Sequence, residues 1–365
     1  MKKTGAIMLS LVILSFGCKR SQETTEVSTT GLNSIKSSTL EVRSPQTFQN
    51  LTIFMISGES EIQGKQYITL SEGMKTKEVV VRETGTVREL RIDKNSDQYV
   101  FIHSGDIVKG GKQDRTIAHD IIIPPMSKNN VLESFCVEQG RWQQREDEEV
   151  SEFSENTRML SSRDLKLASR YDKSQGKVWQ KVDEITSKLS RNISEKNGYV
   201  VEVADSTSAT SLQLALENKE LEKEKGVIYG AFKDLVNTPN AIGFAYAINC
   251  EIYAVELYNS PHLFKAVWEK VLESVVVEAI GEEVKDDMVS ITAKDVLDFI
   301  KTTKEVDKQI VKKLNKATRL RIEENKNGNV VFETEDLTKK QWVHLSYMKI
   351  DSTLGKRELG FSERQ

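Results

Sequence analysis

Two polar stretches of the sequence hold the residue types best suited to chemistry. The first, GDIVKGGKQDR, covers residues 105–115, and the second, CVEQGRW, covers residues 136–142. Arginine offers a planar fork of donors that suits a carboxylate or a phosphate. Tryptophan offers a face on which a flat ring can stack, and adjacent glycines allow a close approach of the backbone. If the chain brings the two stretches together, they predict a site for a small anionic ligand.

A structural interpretation of the same residues stays open. In an extended strand, Cys136 and Glu138 lie on one face, because side chains alternate along a strand. Glu138 is then placed to pair with Arg115 or Arg141 and to satisfy charges buried between a sheet and helices, with Trp142 packed over them. On this interpretation the polar residues serve the fold and bind nothing.

The functional interpretation places the same side chains around a cleft. The arginines would hold an anion, Gln113 would hydrogen-bond a sugar or base, and Glu138 would act as a general base. Neighbouring arginines lower the pKa of a carboxyl group, whereas a general base needs a raised one, so binding is favoured over hydrolysis. The candidate ligand-binding residues are Gly111, Gln113, Arg115, Arg141 and Trp142, and the candidate catalytic residue is Glu138.

Other chemical signals in the sequence are weak. The glycines at 110 and 111 fit neither a phosphate-binding loop nor a dinucleotide fingerprint. The four histidines form no recognisable pair, and no metal-ligand spacing occurs, so we predict no metal site and no cofactor. Cys136 and Cys250 allow two interpretations, a disulfide or two buried thiols.

The elements that must position these residues fall into two groups. Short segments rich in β-branched and aromatic residues predict strands between residues 51 and 137, and periodic apolar residues predict helices from residue 146 onward. A strand is predicted over 116–123, a helix over 208–225, a hairpin over 241–257, and a helix from Ser260 to near Gly281. We therefore predict an α+β fold, with an antiparallel β-rich N-terminal portion (49–145) followed by helices packed on a second antiparallel sheet (146–350) and a tail (351–365).

The N-terminus predicts export and a lipid anchor. A positive start and a short apolar core make residues 1–17 a signal peptide. LSFGC, over residues 14–18, resembles a bacterial lipobox, which makes Cys18 the predicted lipidation site and the membrane a partner through that lipid. Residues 18–48 are predicted to be a flexible tether. Because Lys19 follows the anchor, we expect the outer membrane, facing the periplasm.

Composition excludes some classes of partner. The 365 residues are 38% hydrophobic and 29% charged, with a formal net charge of −3. Such a balanced chain lacks the excess of cations that supplies phosphate affinity, so no nucleic acid is expected as a partner. No apolar run beyond the N-terminal segment approaches the length of a membrane span.

Several motifs resemble a known family. The two polar stretches, VW at 178–179, the apolar hairpin AIGFAYAINCEIYAVELYNSP and VHL at 343–345 are similar to the ADP-ribosylglycohydrolase- and rhodanese-phosphatase-associated protein domain. The resemblance covers about residues 50–350. The family's association with ADP-ribose-processing proteins implies a role near nucleotide-derived ligands. The polar positions carried over are Gly111, Gln113, Arg115, Cys136, Glu138, Arg141 and Trp142.

Together these features predict an exported, lipid-anchored protein that binds a small anionic ligand, nucleotide-derived if the family association holds. Two alternatives stay open: a hydrolase of nucleotide-derived glycosides or phosphates, and an envelope scaffold without a small ligand. The sequence identifies no protein partner.

Overall fold

The fold is mixed α+β, as predicted, and its sheets are almost entirely antiparallel. The computed structural model describes residues 40–143, 151–285, 290–302, 306–326 and 328–350. The predicted signal peptide, Cys18, most of the predicted tether and the C-terminal tail lie outside the described residues. No helix in the described part of the chain is both long enough and apolar enough to span a membrane.

The strands are β1 (Glu41–Val42), β2 (Gln46–Phe48), β3 (Leu51–Ser57), β4 (Tyr67–Thr69), β5 (Val79–Thr86), β6 (Glu89–Lys94), β7 (Tyr99–Ile102), β8 (Asp106–Gly110), β9 (Arg115–Ile117), β10 (Ile121–Ile123), β11 (Asn130–Cys136), β12 (Phe153–Leu160), β13 (Ala241–Ile248), β14 (Glu251–Tyr258), β15 (Val306–Lys313), β16 (Thr318–Asn325), β17 (Asn329–Asp336) and β18 (Gln341–Lys349). The α-helices are α1 (Leu70–Lys75), α2 (Arg163–Lys166), α3 (Gln175–Asn197), α4 (Leu212–Leu216), α5 (Lys219–Phe232), α6 (Pro261–Gly281) and α7 (Ala293–Thr302). A π-helical turn spans Leu167–Tyr171, and a 3-10 turn spans Lys233–Asn237.

The largest sheet joins distant parts of the chain. Its order is β1-β3-β13-β14-β18-β17-β16-β15, and β2 also pairs with β3. Within the described residues, a second sheet has the order β12-β8-β9-β11-β6-β5, and a small third sheet has the order β10-β7-β4. β1, β2 and β3 thus lie in a sheet built otherwise from later strands, while β12 joins the sheet of earlier ones. The predicted division at residue 145 is therefore not a division between sheets.

The long helix α6 is the central buried element. Ser260 caps it, with its side chain accepting from the Leu263 N–H, and Pro261 occupies the first position, as the sequence predicts. α6 packs against β12, β13, α3 and α5, and most of its side chains are buried. It supplies apolar contacts to the main core and polar contacts to buried charges.

Several predicted elements differ from the structure. The predicted strand over 116–123 is interrupted at residues 118–120, which lie between β9 and β10. The predicted helix over 208–225 is divided into α4 and α5 at Asn218, which caps α5. Residues 41–42 and 46–48, assigned to the tether, pair as strands with β3. β12 lies in a segment whose composition predicted helix.

Candidate functional site

The two polar stretches meet in one buried network, which we call the motif cluster (Gly111, Gln113, Asp114, Arg115, Glu138, Arg141 and Trp142). β9 and β11 pair with Arg115 opposite Cys136, which places the first stretch beside the second. Gly111 adopts φ +56°, and a Cβ there would lie 2.6 Å from the Phe153 ring. A glycine is thus required where the chain turns between β8 and β9.

Glu138 is the centre of the motif cluster. Its side chain is buried; one carboxylate oxygen accepts from Arg141 Nε at 2.7 Å, and the other accepts from the Ser208 hydroxyl at 2.6 Å. Arg141 also donates to the carbonyl oxygens of Gly111 at 3.2 Å and Gln143 at 2.7 Å. Both oxygens of Glu138 are therefore engaged within the protein.

Gln113 and Arg115 face inward as well. The Gln113 side-chain amide donates to the Glu138 carbonyl at 2.8 Å, and Arg115 donates to the Gln113 carbonyl at 2.9 Å. Arg115 also lies 3.4 Å from a carboxylate oxygen of Glu83. Both residues are almost completely buried. These contacts match the predicted structural interpretation, in which the motif residues pair with one another.

Trp142 is the exposed member of the motif cluster. Its side chain is 44% exposed, the Lys112 ammonium lies 5.1 Å from the ring centroid, and the Arg115 guanidinium lies 5.7 Å from it. Cations at such distances are attracted to the face of the indole ring. The motif cluster therefore reaches solvent through this ring.

A second buried cluster was missed by sequence reasoning. We call it the histidine cluster (His103, Asp120, Glu256, Tyr258 and His344). His103 follows β7, Asp120 lies between β9 and β10, and His344 lies on β18. Asp120 Oδ2 is 2.9 Å from His344 Nδ1, and Asp120 Oδ1 is 3.7 Å from His103 Nδ1. One ligand atom from each of these three residues lies within 4.8 Å of the other two, so they are able to hold a metal ion.

The remaining ring nitrogens of the histidines also have partners. His344 Nε2 lies 2.9 Å from Glu256 Oε2, and His103 Nε2 lies 2.8 Å from the Tyr258 hydroxyl. Burial lowers the pKa of His103 to about 4. Burial also opposes protonation of His344, but the carboxylates of Asp120 and Glu256 outweigh it and raise its pKa. The two carboxylates therefore favour the protonated form of His344.

Two further cations lie in these buried surroundings. Arg170 is completely buried, with one guanidinium nitrogen 3.9 Å from Asp120 Oδ2 and the group stacked 3.6 Å from the Phe332 ring centroid. Its three side-chain nitrogens have no hydrogen-bond partner among the described residues. Burial lowers the pKa of Lys166, which interacts with Glu256 and Asp120. Buried donors without acceptors are rare in native structures and call for an explanation.

The histidine cluster escaped sequence reasoning because its members are far apart in the chain. No local spacing joins positions 103, 120 and 344. One signal was present: VHL at 343–345 carries a histidine inside an apolar strand, where a buried polar residue needs a partner. The motif carries the family resemblance, but the residues around it in the sequence give the histidine no partner.

The two cysteines in the described part of the chain are free thiols. Cys136 is buried and Cys250 is partly buried, and neither forms a disulfide in the structure. Of the two predicted alternatives, the buried thiol is the one observed for Cys136, and burial raises its pKa to about 11. Such a thiol is a poor nucleophile at neutral pH.

Two surface cavities in the described part of the chain lie apart from both clusters. One, of about 440 Å³, is lined by residues of β14, α7 and β18, including Cys250 and Phe299. The other, of about 310 Å³, lies where α3 and α6 end, with Asn192 and Glu282 in its wall. None of the candidate residues predicted from the sequence lines either cavity.

The fold indicates the class of protein, and comparison with known proteins identifies the family. The fold and its two polar clusters define an α+β domain in which sheets and helices enclose networks of paired charges. The chain belongs to the family described as the ARG and Rhodanese-Phosphatase-superfamily-associated Protein domain, whose model matches residues 39–348. No curated protein and no solved structure matches the chain.

Proposed function

We propose that the protein is exported, is held to the outer membrane by lipid on Cys18, and binds a small anionic ligand on the face of Trp142. The observation that carries the binding proposal is the half-exposed indole with Lys112 at 5.1 Å and Arg115 at 5.7 Å. A flat ring would stack on the indole, and a negative group would pair with the Lys112 ammonium. Nucleotide-derived compounds combine both features.

The buried part of the motif cluster serves as the support of this face. Arg141 precedes Trp142 and is fixed by Glu138 and by two backbone carbonyls. A residue held in this way loses little freedom when a ligand arrives, and this reduces the cost of binding. Gly111, Gln113 and Arg141 then act as positioning residues, while Trp142 and Lys112 would touch the ligand.

Glu138 belongs in this proposal as a positioning residue. A general base needs a free oxygen within reach of the substrate proton. Both oxygens of Glu138 accept hydrogen bonds inside the protein, and its side chain is buried. The contacts therefore support binding over hydrolysis, as the neighbouring arginines do.

The binding proposal is tested by titrating the purified protein with ADP-ribose while following tryptophan fluorescence and thermal stability. A ligand at a hundredfold excess over its dissociation constant adds about 2.7 kcal/mol to the unfolding free energy. Trp142→Ala should weaken binding by about 1–3 kcal/mol, the range for loss of one stacking aromatic. Tyr199→Ala removes a similarly exposed aromatic elsewhere and should leave binding unchanged.

The absence of any change with ADP-ribose, AMP and inorganic phosphate at millimolar concentration would remove the binding proposal. The envelope scaffold would then be the remaining alternative. Equal binding by wild type and Trp142→Ala would place the ligand elsewhere.

The anchor is tested separately by metabolic labelling with a fatty acid and fractionation of the cell envelope. Wild-type protein should carry the label and fractionate with the outer membrane. Cys18→Ser should lose the label, whereas Cys250→Ser, which removes a free thiol, should keep it. Unlabelled wild-type protein in the cytoplasm would overturn export and anchoring together.

A further inference from the structure

The histidine cluster brings together side chains that have no part in the proposed ligand face. It shares no residue with the motif cluster, and an inference from it stands independently of the proposed function. His103, Asp120 and His344 are at most 3% exposed. They come from three separate parts of the chain and converge between the large sheet and the strands β7, β9 and β10.

We propose that His103, Asp120 and His344 bind one divalent transition-metal ion, whose remaining ligand is an anionic oxygen facing Arg170. Two imidazole nitrogens and one carboxylate form a donor set suited to ions such as Zn²⁺ or Fe²⁺. Three protein ligands leave a coordination position open for water, hydroxide or a small oxyanion.

The spacing of the donor atoms fits a shared ion. Two ligands at about 2.1 Å from a tetrahedral metal ion lie about 3.4 Å apart. Asp120 Oδ2 and His344 Nδ1 are separated by 2.9 Å, and His103 Nδ1 lies 3.7 Å from Asp120 Oδ1. To bind the same ion, His103 Nδ1 has to exchange its contact with the Ser104 carbonyl oxygen, at 2.8 Å, for the metal.

The outer partners have the arrangement that orients metal-binding histidines. A histidine ligand usually donates its other ring N–H to a carboxylate or another acceptor, which fixes the ring and its tautomer. Glu256 places a carboxylate oxygen 2.9 Å from His344 Nε2, although the two atoms are not aligned for a hydrogen bond, and the Tyr258 hydroxyl lies 2.8 Å from His103 Nε2. Each histidine can therefore direct Nδ1 toward Asp120.

Asp120 is fixed in the same manner. Its Oδ1 accepts from the Ser104 N–H at 2.7 Å, and its Oδ2 accepts from the Thr334 hydroxyl at 3.0 Å. Each oxygen retains a further lone pair. Two hydrogen bonds thus orient the carboxylate and leave a lone pair on each oxygen to bind a metal ion.

Arg170 provides an independent observation that a ligand belongs here. Its guanidinium is completely buried, lies 3.9 Å from Asp120 Oδ2, and has no hydrogen-bond acceptor among the described residues. An unsatisfied buried donor of this kind points to an ion or a water that completes the site. An anionic oxygen on the metal would accept from Arg170 and would also offset the positive charge that the ion brings.

The competing explanation is a metal-free network in which a protonated His344 bridges Asp120 and Glu256. That network accounts for the two histidines, but it leaves the three nitrogens of Arg170 without acceptors. The proposed metal keeps the two histidines in place, and its anionic ligand supplies an acceptor for Arg170 that the metal-free network lacks. The two explanations give different results with a metal probe.

The experiment is a titration of the chelator-treated, full-length protein with Co²⁺, followed by visible absorption and by competition with Zn²⁺. We expect one Co²⁺ per chain, with a d–d band that Zn²⁺ abolishes. His344→Gln and Asp120→Asn should lose the band. His262→Gln removes an exposed histidine and should retain it.

A milder variant tests the proposal even if His344→Gln or Asp120→Asn fails to fold. Glu256→Gln keeps the three ligands and removes only an outer carboxylate, and it should weaken Co²⁺ binding by about 10- to 100-fold with unchanged stoichiometry. Folded wild-type protein without a Co²⁺ band or a Zn²⁺-dependent rise in Tm would overturn the proposal. A band unaffected by both His344→Gln and Glu256→Gln would also overturn it.

Discussion

The motif cluster and the histidine cluster are both buried and charged, but they differ in how completely they satisfy their own polar groups. In the motif cluster, Glu138 and Arg141 meet, and their remaining atoms reach nearby backbone and side-chain groups. Beside the histidine cluster, Arg170 keeps three side-chain nitrogens without an acceptor among the described residues, compared with one, Nε of Arg115, in the motif cluster. The first arrangement is characteristic of a structural support. The second indicates that a component from outside the chain belongs there.

Of the changes that test this comparison, Asp120→Asn is expected to cause the largest loss of stability. The change removes the carboxylate that faces His344 and Arg170, and leaves buried cations without compensation. Loss of one partner from a buried ion pair costs about 3–5 kcal/mol. Urea denaturation at neutral pH measures this loss. An effect under 1 kcal/mol would mean that Asp120 does not balance these charges.

The next largest effect is expected from low pH, which should change the unfolding free energy through the histidine cluster but not through the motif cluster. Burial lowers the pKa of His103 from 6.5 to about 4, so the unfolded chain binds a proton at higher pH than the folded one. The contribution of His103 to the unfolding free energy is therefore fully present above pH 6.5. It decreases by at most about 3 kcal/mol as the pH falls from 6.5 to about 4.

His119, with its pKa also lowered to about 4 by burial, contributes in the same window. His103→Gln should therefore reduce the slope of unfolding free energy against pH without abolishing it. The motif cluster contains no histidine, so Glu138→Gln should leave that slope unchanged. Equal slopes in wild type and His103→Gln would contradict the assignment.

A smaller loss of stability is expected from Glu138→Gln. Arg141 loses its charged partner but keeps the carbonyls of Gly111 and Gln143, so a cost of about 1.5–3 kcal/mol is expected, as for a hydrogen bond to a charged group. Glu59→Gln, at an exposed position, is the control and should change stability by less than about 0.5 kcal/mol. Thermal and urea unfolding measure both. A neutral Glu138→Gln would show that the motif cluster is not a support.

The smallest effect on stability is expected from Trp142→Ala. The ring is 44% exposed, and its cationic contacts are worth about 0.5–1 kcal/mol at such a site. The same variant is expected to lose ligand binding, so stability and binding separate at this residue. A loss of several kcal/mol in urea denaturation would instead make Trp142 part of the core.

The sequence correctly predicted those helices and strands whose structure depends on residues close to them in the chain. α6 begins and ends where Ser260, Pro261 and Gly281 indicate, because capping and the proline position depend on neighbouring residues only. The hairpin of β13 and β14 follows from two apolar runs around Asn249 and Cys250. The meeting of the two polar stretches was also predicted.

Two other features that depend on distant contacts, the strand β12 and the histidine cluster, were not predicted. β12 has a polar composition typical of a helix, and pairing with β8 decides its structure. The histidine cluster joins residues 103, 120 and 344, for which no local pattern exists. Lipidation at Cys18 and the nature of the ligand remain predictions.

The place of β3 in the large sheet has a consequence for the order in which the protein assembles. Ile53 pairs with Tyr246, and β13 in turn pairs with β14, which pairs with β18. When β3 has been synthesised, only the short strands β1 and β2 precede it as partners, and its longer pairing waits for β13. Because contacts between remote residues form slowly, the large sheet closes only after the C-terminal strands have been made.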